Sequence, residues 1–270
     1  MCQTAQAAES IILNTDTNLS EYLVDLHLHS VLSPCAGLEM GAVDVVRKSS
    51  SEGISIIAVT DHNHVANFRA LRDAADESGE PLLVLPGMEV QSMEDIHVVL
   101  VFPDEDTAYE YKDWLWQKMP NIKNKEERFG YQLIIDKDGN IIDQEEVLLI
   151  QGAMRTVDEI SSQALKKGCI VIMAHMDRPS FSYEAVLGRL PGEFMCSAIE
   201  LSPMVMESSI SGWSAKYPGR TLIRSSDAHK LDQISRYKCS RMKLGGLSFK
   251  EIFFALKHEN GREVLYPENH

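Results

Sequence analysis

Cysteine is scarce. The 270 residues hold five, at Cys2, Cys35, Cys169, Cys196 and Cys239. An odd, scattered set builds no disulfide framework and suits a reducing compartment. No apolar run approaches the roughly 18 residues of a membrane span, so no contact with a membrane is expected. The opening MCQTAQAAES has neither a basic n-region nor a long apolar stretch. No secretory signal is expected there, and a cytoplasmic location follows as the expectation. Basic residues are also in deficit, with 26 Lys and Arg against 40 Asp and Glu and a net charge of −14. Such a chain is not expected to hold duplex nucleic acid on a broad basic face. Small phosphorylated substrates and single-stranded ends stay open, because bound cations reverse the sign of a local site. Repeats and low-complexity tracts are absent, and nothing in the sequence speaks to oligomeric state.

What is present alternates. Residues 1–20 are small and polar and read as a flexible arm. Residues 22–29 read as a strand, 39–52 as a helix stopped by Gly53, and 54–60 (ISIIAVT) as a buried parallel strand. A helix over 65–78 stops at Gly79. Strands at 82–85 and 96–102 follow, with a turn expected at Pro86-Gly87. Such alternation predicts an α/β fold with a mainly parallel sheet, whose site lies at the C-terminal strand ends. Residues 105–155 break the rhythm with a helix over 109–118 and a hairpin around Asp138-Gly139. This segment reads as a small helix-plus-hairpin insertion or cap. Asp136, Asp138 and Asn140 have calcium-loop spacing, but Ile141 stands where glycine is required. Thr156 and Glu159 form a capping box opening a helix to about Lys167. Strands at 169–174, 198–201 and 221–225 complete the pattern, with a last helix at 248–257.

His27 and His29, two apart in the first strand, share a face and lie close enough to meet one metal ion. Alone, the pair fits the wet face of an edge strand better than a ligand pair. Further strand ends add Asp61 and His62, Glu89, His97, His175, Asp227 and His229, with Cys35 and His64 on neighbouring loops. Seven of the nine histidines lie at or beside strand ends. Imidazole and carboxylate together suit zinc, iron or manganese, and a ring of them is the makeup of a multi-metal hydrolytic site. Arg178, three residues past His175, suits a forked grip on phosphate; a rim salt bridge with Asp177 or another acid is the plainer alternative. His64 reads as an exposed loop residue.

The segments DLHLHS, AVTDHN, PGMEV, EDIHVVL, MAHMDRPSF and SSDAH, in that order, resemble the PHP (polymerase and histidinol phosphatase) family of metal-dependent phosphoesterases. The likeness spans about residues 23–230. It implies a distorted (β/α)7 barrel, a TIM-like barrel, with residues 21–270 as a single catalytic domain. It implies two or three divalent ions (zinc, iron or manganese). His27, His29, Glu89 and Asp227 would hold the first, and Glu89, His97 and His175 the second. His62 and His229 would hold the third, with Cys35 where the family usually has His or Asp. A thiolate there is a competent zinc or iron ligand. Asp61 and Asp25 would orient neighbouring histidines from behind.

The implied chemistry is hydrolysis of a phosphate ester. Water activated between two metals attacks phosphorus, Glu89 and Asp227 hold the metals, Arg178 neutralises the phosphate, and His229 or His62 assists the leaving oxygen. The acidic charge points to a small phosphomonoester such as a nucleotide or sugar phosphate. The alternatives are a nuclease or phosphodiesterase trimming nucleic-acid ends, and a non-catalytic metal-binding module. A metal-dependent amide hydrolase would need a lysine at a middle strand end, and none is there.

Overall fold

The computed structural model describes residues 18–265. All but the last three residues of the expected arm, and Cys2, lie outside them. The strands are β1 (Ser20–Leu28), β2 (Ile54–Val59), β3 (Leu83–Gln91), β4 (His97–Val101), β5 (Leu133–Ile135), β6 (Ile141–Gln144), β7 (Ile170–Met173), β8 (Ala198–Leu201), β9 (Leu222–Arg224), β10 (Ser240–Leu244) and β11 (Glu263–Leu265). The helices are α1 (Ala42–Ser51), α2 (Phe68–Ser78), α3 (Glu105–Trp116), α4 (Glu126–Phe129), α5 (Val157–Lys166), α6 (Tyr183–Leu187), α7 (Ile210–Lys216) and α8 (Phe249–Leu256). Helix boundaries follow local chemistry. Gly79 takes the left-handed cap conformation (φ 70°) that ends α2. Thr156 and Glu159 exchange the two bonds of a capping box at the start of α5.

One sheet runs β11-β10-β1-β2-β3-β4-β7-β8-β9. Its last strand returns to β1. Past β9, the Asp227 N–H donates to His27 O (2.8 Å) and the His29 N–H to Ala228 O (3.0 Å), with a parallel bridge between Leu28 and Ala228. The strands β1, β2, β3, β4, β7, β8 and β9 therefore close a distorted (β/α)7 barrel. Beyond the barrel, β10 pairs antiparallel with the first half of β1, and β11 antiparallel with β10.

Within the barrel the expected parallel pairing holds except at β4, which runs antiparallel to both β3 and β7. Only residues 92–96 join β3 to β4, too few for the crossover a parallel pair needs. The reversal matters: it brings His97, the first residue of β4, to the barrel end where the other strands finish. The expected turn at Pro86-Gly87 does not occur. β3 runs through it, with Pro86 beside Val59 and its carbonyl accepting the Phe102 N–H (2.8 Å). Gly87 is demanded by packing, since a Cβ there would come within 2.6 Å of Thr60 Cγ2 and 2.9 Å of Val59 O.

A bulge shapes β1. Asp25 stands beside Ile57 and Leu28 beside Val59, so three steps of β1 match two of β2. Val24 and Leu26 pack with Ile56, Ala58, Val99 and Ile172 inside the barrel, where α8 adds Ile252, Ala255 and Leu256. Leu28 instead joins Ile57 and Val59 under α1 and α2. The outer cluster on the far side sets β3, β4 and β7 against α3 and α5 through Met88, Leu100, Val171, Tyr111 and Ile160.

The 105–155 segment is stitched to the loops after β1 and β2. The buried Asn67 amide donates to Leu133 O (2.9 Å), and its oxygen accepts the Ile135 N–H (3.0 Å). Asn63 does the same for Leu149 O and Gln151 O (2.7 and 2.9 Å), and the Leu133 N–H donates to Val31 O (3.0 Å).

Candidate metal centre

Every polar strand-end residue picked out by the sequence, from His27 to His229, reaches the end of the barrel where β1 and β2 finish. Three overlapping sets of donor atoms form there: His27, His29 and Glu89; Glu89, His97 and His175; and His29, His62 and His229. His27 Nε2 and His29 Nε2 lie 3.3 Å apart. Each is 3.3–3.4 Å from an oxygen of Glu89 and 3.4 Å from Asp227 Oδ1. Four ligands placed tetrahedrally at about 2.1 Å from one ion stand about 3.4 Å from each other. The donor spacing thus fits a divalent cation, and the mixture of imidazole and carboxylate fits zinc, iron or manganese. His97 Nδ1 lies 2.7 Å and His175 Nε2 3.3 Å from Glu89 Oε1, and His62 Nδ1 3.1 Å from Glu89 Oε2. The remaining ring nitrogens, His97 Nε2 and His175 Nδ1, are buried without a hydrogen-bond partner.

The electrostatics are those of a crowded polar cluster. Burial pushes the Glu89 carboxyl up, but His97, His27 and His62 together hold it well below the usual carboxylate range. Asp227 is likewise held low against its burial, by His27 and His29. Burial opposes a charge on His29, yet Asp227 and Glu89 push it up to about 9. Burial, with His29 as a like neighbour, holds His229 down to about 4.

Backbone strain gathers at the same place. His175 (φ 28°), Asp227 (φ 48°) and Asn63 (φ 51°) occupy the left-handed region, unusual for residues other than glycine. Each is pinned by a bond: His175 N–H to Glu200 Oε1 (3.1 Å), Asp227 N–H to His27 O (2.8 Å), Asn63 N–H to Glu89 O (2.9 Å). Strain that persists under such pinning is a mark of functional sites.

Four sequence expectations shift. Asp25 does not reach the His27 ring: its Oδ1 accepts the backbone N–H groups of His27 (3.4 Å) and Ser226 (3.0 Å), while burial raises its pKa to about 6. Glu200, which the sequence reading passed over, takes that role. Its Oε1 lies 3.0 Å from His27 Nδ1, and it is buried. The available signal was an acid inside the four-residue buried strand AIEL, where charge is rarely left unpaired. Asp61 does not touch the ring of its neighbour His62. It accepts from Ser30 N–H, Ser30 Oγ and Ser33 Oγ at 2.6–2.8 Å, and Ser33 Oγ lies 2.9 Å from His29 Nδ1. Asp61 therefore supports His29, one residue removed. His64 is buried: its Nδ1 accepts the Ala66 N–H (3.1 Å) and its ring stands edge-on to Trp116. Cys35 belongs to none of the three donor sets, and the third contains His29 in its place. Cys35 is exposed as a residue, yet desolvation of the sulfur and then the Glu89 carboxylate push its thiol up to about 12.

Arg178 does reach the cluster. Its Nη2 donates to Asp227 Oδ2 at 2.5 Å with its side chain 41% exposed. Asp177 is occupied elsewhere, accepting from Ser202 N–H and Oγ (2.6 Å each).

No family model and no curated protein sequence matches the chain. Solved structures do. The lesion-specific endonuclease PfuEndoQ from Pyrococcus furiosus superposes with a TM-score of 0.63 at 16% identity, over 91% of this chain and 58% of that one. Endonuclease Q in complex with a 27-mer duplex carrying an abasic lesion at its active site superposes with a TM-score of 0.62, at the same identity and coverage. A two-domain protein from Bacteroides vulgatus, containing a predicted PHP-like metal-dependent phosphoesterase, superposes with a TM-score of 0.52 at 16% identity, over 98% of this chain and 70% of that one. The chain spans 58% of the length of endonuclease Q. No helix among the described residues is long and apolar enough to cross a membrane. The barrel that carries the His, Glu and Asp cluster thus has the fold of the PHP-like metal-dependent phosphoesterases.

Proposed function

We propose that the chain hydrolyses a phosphate ester, using two or three divalent ions of zinc, iron or manganese held at the barrel mouth. The observation that carries this reading is the trio of donor sets that share Glu89 and His29. Ions bound there would lower the pKa of water and draw charge off the phosphate oxygens. The chain's own side chains do the rest. Glu89 belongs to two sets and fixes their spacing. Glu200 takes the Nδ1 proton of His27 in a hydrogen bond, which leaves the Nε2 lone pair directed at Glu89 and Asp227. Arg178 lies against Asp227 with part of its guanidinium open to solvent, so it can add a phosphate oxygen to its contacts.

A small phosphomonoester, such as a nucleotide or sugar phosphate, is the substrate class we favour. Among the described residues, Arg178 is the one arginine or lysine ion-paired with the cluster. The likeness to endonuclease Q favours a second reading, cleavage of nucleic acid, and that protein's complex with a duplex weakens net charge as an argument against duplex binding.

The test loads the full chain with manganese, iron or zinc in turn and confirms metal content. It then assays an aryl phosphate, a set of nucleotides and sugar phosphates, and a labelled duplex with one abasic site. Monoester turnover without strand cleavage supports the first reading. Strand cleavage assigns the second. No turnover at full metal occupancy overturns both and leaves a metal-binding module.

A further inference from the structure

Phe181 sits oddly. It is an aromatic residue in the left-handed region (φ 59°), where bulky side chains are outliers. It is also 41% exposed, on the loop that joins β7 to α6. Two bonds hold the loop in place. The Phe181 carbonyl accepts the N–H of His97 (2.8 Å), and Ser182 Oγ, the cap of α6, donates to Arg178 O (2.7 Å). The Phe181 ring is thereby stacked on the His97 imidazole, with centroids 4.7 Å apart and planes 23° from parallel. His97 in turn contacts Glu89 at 2.7 Å. A phenyl ring left partly in water forgoes apolar burial, and the backbone conformation adds strain.

The same loop sends Arg178 to Asp227. One short segment therefore sets a guanidinium and an aromatic ring at the cluster. Arg178 suits the phosphate. Phe181 suits whatever the phosphate is attached to, provided that group is flat. Resting on the phosphoesterase reading, we infer that Phe181 determines specificity for phosphate esters whose leaving group carries an aromatic ring, such as an aryl group or a nucleobase, by stacking on it.

The test has two arms, both on the metal-loaded full chain, with metal content measured for each variant. The first compares kcat/KM for phenyl phosphate with that for glycerol 2-phosphate. Phe181→Leu keeps the backbone bond to His97, and the aryl preference should fall about two- to tenfold, mainly through KM, the range of one aromatic pair. Phe181→Trp should restore it. The second arm needs no turnover: calorimetry with phenylphosphonate and methylphosphonate. Wild type should bind the phenyl compound more tightly, and Phe181→Leu should lose that difference. Equal or absent binding of the two phosphonates by wild type overturns the inference, as does a preference unchanged in Phe181→Leu. A phosphonate preference that depends on Phe181, with no ester turned over, sinks the phosphoesterase reading and leaves the aromatic site standing.

Discussion

Glu200 offers the sharpest test of how the centre is held. Its carboxylate accepts two N–H groups: His27 Nδ1 (3.0 Å) and the backbone of His175 (3.1 Å). Both residues are buried and both belong to donor sets. Glu200→Ala removes the oxygen that both share. The orphaned His175 N–H alone should cost about 1–3 kcal/mol of fold stability. It also frees His27 to rotate or to take the other tautomer, with the proton on Nε2, where the lone pair is needed. Losing such a supporting carboxylate costs metal affinity roughly 10- to 100-fold, and Glu200→Ala should fall at the high end. Both donors converge on Oε1, so Glu200→Gln can keep an oxygen for both while removing the charge, and it should fall near the low end. Competition with a chromophoric chelator measures affinity, and urea melts of metal-free protein measure stability. A Glu200→Ala protein that binds zinc or manganese as tightly as wild type refutes the reasoning, because His27 would then need no partner.

Other outcomes follow from the same geometry. Glu89→Ala should lose metal from two of the three donor sets and nearly all turnover, with unchanged far-ultraviolet circular dichroism; metal analysis and an aryl phosphate assay check it. Cys35→Ser should leave metal stoichiometry unchanged, since Cys35 stands outside all three sets; loss of one ion per chain by elemental analysis would bring the thiol back as a ligand. His64 fixes a pH effect. Burial, then Lys112, hold its pKa down to about 3, against about 6.5 in the unfolded chain. The unfolded chain therefore takes up a proton below about pH 6.5 that the folded one refuses, and stability falls with pH by up to about 1.4 kcal/mol per unit towards pH 3. In His64→Gln that portion of the slope should vanish, as urea melts across the window would register.

The sequence carried the donors and not their supports, for a physical reason. Metal-binding side chains announce themselves by type, because His, Asp and Glu at the ends of apolar strands have little other reason to be there. Their supports depend on register. Asp25 and Asp61 were natural partners for the adjacent histidines by proximity alone. One extra residue in β1 turned Asp25 to the helix side of the barrel, and Ser33 relayed Asp61 to His29 instead of His62. The carboxylate that does reach His27 comes from Glu200, 173 residues away, and only barrel closure makes them neighbours. The fold behaves alike. Helices and parallel strands were legible from caps and β-branched runs, whereas β10 was missed. Its SRMKL alternates buried and open positions, but charged residues fill the open ones and the run is short. The reversal of β4 was written in the chain as two strands with no helix between them. Its consequence was not written there: a histidine at the start of a strand can join residues at the ends of the others only because that one strand runs backwards.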